Sequence, residues 1–145
     1  MQADEKRALA NVRLERAKEC LSEAGDLFEA EKYRGTANRL YYSVFHSMRA
    51  ALALDGTDMK RHSGIISEFR RRFIKTKIFD SKLSDIISAL YEMRSESDYD
   101  DFYVLSKSDV AEQFENARFF LKSVEDHLIQ DPHAQNDTTA SDTIL

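Results

Sequence analysis

One proline and four glycines are all that interrupt this 145-residue chain. Between them, apolar residues recur at steps of three and four over long stretches. Strands would need alternation and frequent turn residues, so the chain is expected to fold as an all-α protein. Five helical segments can be read. The first covers about 5–29, with Ala10, Leu14, Ala17, Leu21, Ala24 and Phe28 as its seam. A tight connection at Glu31–Gly35 leads to the second, which ends at Asp55-Gly56, where glycine suits the left-handed position after a helix. The third covers about 63–74, with Ile65, Ile66, Phe69 and Phe73 inward. The fourth starts near Asp80 or Ser81 and runs through Leu83, Ile86, Ile87, Leu90 and Met93 to about Ser97. Residues 97–105 read as a connection, and Ser106 with Asp109 resembles a capping box opening the last helix, which runs to about Ile129. Short links between long helices favour antiparallel neighbours. The expected architecture is an up-and-down antiparallel bundle of four long helices plus one short helix, formed by residues 1–130. Residues 131–145 lack periodicity and are rich in Thr, Asp and Ser, which predicts a disordered tail.

The second helix carries the strongest functional signal. One stripe, Ala37, Leu40, Tyr41, Val44, Phe45, Met48, Ala51 and Leu52, has the spacing of a buried face. Beside it, Arg39, Tyr42, His46 and Arg49 stack on one flank. A plain core helix would carry Lys and Glu there. This flank instead offers guanidinium, phenol and imidazole groups, suited to phosphate, a carboxylate or a second chain; the alternative is that Tyr42 and His46 are partly buried packing residues.

Charge is unevenly distributed. Lys60, Arg61, Arg70, Arg71, Arg72, Lys75 and Lys77 face only Glu68 within residues 60–77, a net +6, so the remainder holds −11 of the total −5. Such a block can attract phosphate backbones or an acidic partner, or it can be a solvated helix end. Two further clusters stand out. Arg94 and Asp98 are four residues apart and can pair if the fourth helix continues that far, with Tyr99 adjacent. His62 opens the third helix, where a cap or solvent contact is the ordinary role.

Other chemistries find little support. Cys20 is the only cysteine, which leaves no intramolecular disulfide and no cysteine-based zinc site; its apolar neighbours predict an inert, buried thiol. The chain has no helical His-x-x-x-His pair, no glycine-rich phosphate loop and no nucleophile elbow, so neither a metal nor a cofactor is expected. No run of about eighteen apolar residues exists, and the charged N-terminus has no apolar leader. A cytoplasmic protein with no membrane contact is the expectation.

Three segments in this order, ANRLYYSVFHSMRAAL, KRHSGIISEFRRRFIKTKIF and LYEMRSESDYDDF, make the chain resemble the HEPN domain, in its small stand-alone bacterial and archaeal branch. The likeness spans about residues 8–129. It implies a helical bundle, often a two-fold homodimer. Many HEPN proteins are metal-independent endoribonucleases; others partner minimal nucleotidyltransferases in toxin–antitoxin-like pairs. In the nuclease members an Arg is followed, after roughly four to six residues, by a His, and the two assist attack of the RNA 2′-OH on its phosphate. The Arg corresponds to Arg94. After four intervening residues the position holds Tyr99, and after six Asp101, so the defining imidazole is absent. Two readings follow. The first is a degenerate HEPN module that binds a nucleotidyltransferase, RNA or a nucleotide through a cleft lined by Arg39, Tyr42, His46, Arg94, Asp98 and Tyr99. The second is an active ribonuclease using Arg94 with Tyr99 or His46. Nucleotide transfer onto a motif-adjacent tyrosine occurs in some such pairs, which makes Tyr99 and Tyr103 candidate acceptors.

Overall fold

The computed structural model describes residues 2–130, so the expected tail at 131–145 lies outside the described residues. Five α-helices follow one another: α1 Ala3–Glu29, α2 Tyr33–Leu54, α3 His62–Phe69, α4 Lys82–Tyr99 and α5 Lys107–Gln130. The fold is all-α, with four long helices and the short α3, as the periodicity predicts.

The links between helices are made by backbone chemistry. After α1 the Lys32 amide bonds the Leu27 carbonyl and the Glu31 amide that of Phe28, a Schellman closure with Glu31 in the left-handed region at φ 60°. The same pattern ends α2, where Thr57 bonds Leu52 and Gly56 bonds Ala53, with Gly56 at φ 86°. Glycine is the residue expected there. Gly35 proves different from its reading as part of a connection. It lies inside α2, and a Cβ placed on it would meet Leu27 Cδ1 at 3.1 Å. Its small size lets α1 and α2 approach near the turn, so a residue that looks like a breaker is an interface residue.

α2 is the central helix. It packs against α1, α3, α4 and α5, and residues from Thr36 to Ala53 are buried on nearly every side. Along the α1 seam Ala10, Ala17 and Ala24 are wholly buried, which allows Ser43 Oγ to donate to the Ala17 carbonyl at 2.9 Å. Cys20 is buried, and burial pushes its thiol pKa up, in keeping with an inert side chain.

The expected helix over 63–74 changes geometry part-way. The Lys75 amide bonds the Arg70 carbonyl five residues back, making Arg70–Ile74 a π-helical turn. Phe69 and Phe73 both still enter the core, joined by Phe79 and Phe120. Arg70 reaches α4, donating from Nε to Ser84 Oγ at 3.0 Å and from Nη2 to Ser88 Oγ at 2.7 Å. Asp80 caps α4 by accepting from the Lys82 amide at 2.8 Å. Ser106 accepts from the Asp109 amide at 3.1 Å, as its capping pattern predicts.

α4 runs two residues beyond Ser97, so part of the expected 97–105 connection is helical. Arg34 holds the rest in place: its guanidinium donates to the carbonyls of Ser97, Asp100 (3.4 Å) and Tyr103 (2.7 Å). One guanidinium thereby ties the last turn of α4 to the loop that follows it.

Candidate functional site

Continuation of α4 to Tyr99 keeps Arg94 and Asp98 on one helix face, and Arg94 Nε lies 3.1 Å from Asp98 Oδ2. The Arg94 side chain is largely buried against α2. Its Nη2 donates to the Tyr42 hydroxyl at 3.3 Å, and its guanidinium carbon lies 5.3 Å and 5.5 Å from the Tyr41 and Tyr42 ring centres. Arg39 stands over the same Tyr42 ring at 5.2 Å. Tyr42 thus sits between two cations, Arg39 from its own helix and Arg94 from α4, which its ring face and hydroxyl oxygen both favour.

The imidazole that joins this group is His62. Its ring stacks on Phe45 at 4.0 Å, meets Tyr42 edge-on at 5.7 Å, and brings Nδ1 to 3.2 Å from the Tyr41 hydroxyl. Tyr41 is fully buried, and burial pushes its phenol up to about 12, so it keeps its proton. Burial first, then the positive charge of Arg94 and Arg49, lowers the His62 pKa. His62 is therefore neutral at pH 7, with one ring nitrogen engaged by Tyr41.

His46 occupies a different environment. It is 8% exposed, and its Nδ1 is buried with no hydrogen-bond partner among the described residues. Burial, followed by Arg16, Arg49, Arg39 and Arg13, pushes its pKa down to about 4. The charges it feels come from α1 and its own flank; those acting on His62 include Arg94. Nearby, Asp58 takes a 2.6 Å ion pair from Arg13 and a 3.6 Å one from Arg49, while Arg39 lies 3.7 Å from Glu23.

Of the residues proposed from sequence, the structure brings Arg39, Tyr42, Arg94 and Asp98 together, with His46 touching the group through Tyr42 at 6.2 Å. Tyr99 stands apart: it is 80% exposed at the end of α4, five positions beyond Arg94 and so about 140° around the helix. Within the basic block, Arg70 is bonded to Ser84 and Ser88, Arg71 pairs with Glu68, and Arg72 lies 3.8 Å from Asp55. Lys60, Arg61, Lys75 and Lys77 are exposed. Three of the seven cations are thus tied into local hydrogen bonds or ion pairs, although only Asp55 adds a compensating charge from outside the block. Sequence reasoning undervalued His62 and missed Tyr41. The available signal was the aromatic run Tyr41-Tyr42 and Phe45, one turn apart, which a ring from another helix could cover.

No helix in the described residues is long and apolar enough to cross a membrane. No cluster of three or more His, Cys, Asp or Glu side chains among them is placed to hold a metal ion.

A family model of the HEPN domain matches residues 10–127. The chain belongs to the HEPN family. Its relatives include a UPF0332 protein of Thermotoga maritima, 30% identical over a match covering 88% of this chain and 96% of that protein. A Methanocaldococcus jannaschii protein named "putative toxin" is 30% identical, with 88% of each chain covered. A second protein of that organism and name is 36% identical over 59% of this chain and 64% of its own length. In the structure Arg94 is surrounded by the Tyr41–Tyr42 pair, a carboxylate and, across those rings, a histidine from another helix.

Proposed function

We propose that this chain is a HEPN module of a toxin–antitoxin-like pair that holds an RNA or nucleotide phosphate at Arg94, Tyr42 and His62 without cutting it efficiently. The observation that carries this reading is the state of Arg94. Its guanidinium is aimed at the α2 flank and ion-paired with Asp98, while the residue at the motif position, Tyr99, faces solvent. A guanidinium beside a phenol and a neutral imidazole can bind a phosphate by charge and hydrogen bonds. Transfer of the 2′-OH proton and protonation of the leaving oxygen call for two groups poised near neutral pH. His62 is engaged with Tyr41, whose phenol burial pushes up to about 12.

The toxin names of two relatives favour a partnered system, and exposed Tyr99 would be open to a minimal nucleotidyltransferase acting on it. A homodimer would set two Arg94 clusters along one cleft. A second reading, a metal-independent endoribonuclease, draws on the proximity of His62 to Tyr42, the tyrosine that Arg94 bonds. Incubation of purified protein with single-stranded RNA in EDTA separates the two. The binding reading expects intact RNA with the native chain, Arg94→Ala and His62→Ala alike. Fragments made by the native chain and lost in both variants would establish the ribonuclease instead.

A further inference from the structure

A cavity of about 330 Å³ opens between α3 and α4, next to the Arg94 cluster. Its floor is Ile66 and Ile87; Ser63, Ser67, Ser88 and Arg70 supply its polar edge, and Tyr91 is the wall nearest Arg94. Tyr91 is 47% exposed, and its ring meets Tyr41 edge-on at 6.0 Å. Arg70 is fixed by Ser84 and Ser88 through Nε and Nη2, while Nη1 makes no hydrogen bond to the described residues and is not buried. Arg70 opens the π turn and its side chain lines the cavity edge.

Tyr41 links the cavity wall to the proposed phosphate site: the Tyr91 ring meets it at 6.0 Å, and the Arg94 guanidinium carbon lies 5.3 Å from its ring centre. In the chain, Ser63 follows His62 and Tyr91 precedes Arg94 by three residues, about 4.5 Å along the helix axis. An apolar floor, one exposed aromatic face, three hydroxyls and a guanidinium N–H are the groups that recognise a nucleobase by stacking and by its polar edges. The volume lies at the small end of ligand pockets, about 300–1,000 Å³, which suits one base better than a folded peptide. The neighbouring positive charge selects an occupant with an anionic group attached. We propose that this cavity is a nucleobase subsite, which takes the base of a nucleotide against Tyr91 while its phosphate lies at Arg94 and His62. The inference rests on the phosphate-holding reading above and extends it to a whole nucleotide unit.

Calorimetric titration with ribonucleoside 5′-monophosphates, ribose 5-phosphate and unphosphorylated adenosine tests both levels. The nucleotides are expected to bind about tenfold more tightly than ribose 5-phosphate, the size of one stacking contact. Tyr91→Ala, and independently Ser67→Phe, which fills the cavity from its exposed edge, should remove that advantage and leave ribose 5-phosphate binding unchanged. Arg94→Ala should weaken both phosphorylated probes. Equal binding of nucleotide and ribose 5-phosphate by the native chain would overturn the base subsite and leave the phosphate site standing. Tyr91-dependent binding of adenosine with no added benefit from a phosphate would do the reverse. Absence of binding by every probe would overturn both.

Discussion

His46 shows most clearly what burial does to a polar side chain here. Its imidazole has lost water, found no partner for Nδ1, and lies among four arginines. The folded chain therefore resists protonating it until about pH 4, whereas the unfolded chain protonates it near the ordinary value of about 6.5. Between those values the unfolded state binds more protons, so stability present above pH 6.5 is lost as the pH falls toward 4. Urea unfolding at pH 7 and pH 4.5 should show a drop to which His46 contributes roughly 2–3 kcal/mol. His46→Gln should remove that part of the drop. An unchanged drop would mean that His62, also lowered by burial, or other groups account for it. The sequence placed His46 on the correct flank, but periodicity could not reveal that α1 would bring Arg13 and Arg16 over it. His62 escaped notice for the complementary reason. Its role depends on α3 lying over Tyr41 and Phe45, a contact across seventeen or more residues that no local pattern encodes.

At the level of helices, the regular parts were legible and the irregular parts were not. The seams of α1, α2, α4 and α5 follow from apolar spacing, and Gly56 and Ser106 announce their helix ends by residue type. The π turn at Arg70–Ile74 has no sequence signature, because it reflects how Phe69, Phe73 and Arg70 satisfy the core and α4 together. Gly35 misled for a related reason: a glycine reads locally as a break, yet here it serves the approach of Leu27. Arg34 is the element-level finding with the most direct consequence. It joins the start of α2 to the end of α4 and the following loop through three carbonyls. Arg34→Ala is expected to cost roughly 1–2 kcal/mol, since bonds from a charged donor are worth more than neutral ones and these are partly solvated. Hydrogen exchange at residues 100–106 should accelerate well beyond that of the core helices. Uniform acceleration across the bundle would contradict a local clamp.

Across the whole molecule, a highly buried α2 presents one polar flank, and α3 and α4 close over part of it with His62 and Arg94. The bundle thus concentrates charged and aromatic groups where three helices meet, although no histidine lies between His62 and His127 in the chain. Acidic residues follow on the far side: Asp98 pairs with Arg94, and Asp100 and Asp101 lie on the exposed loop beyond. Under the proposed function a phosphate lies on the α2–α3 side, away from these carboxylates, and not along Tyr99. The most direct test of this account is the equilibrium affinity of the full chain for a labelled single-stranded RNA, measured by fluorescence anisotropy in EDTA over a range of salt concentrations. The account predicts salt-sensitive binding that falls at least tenfold in Arg94→Ala, with a shallower salt dependence as one phosphate contact is lost. Equal affinity and equal salt dependence in the native chain and Arg94→Ala would contradict it.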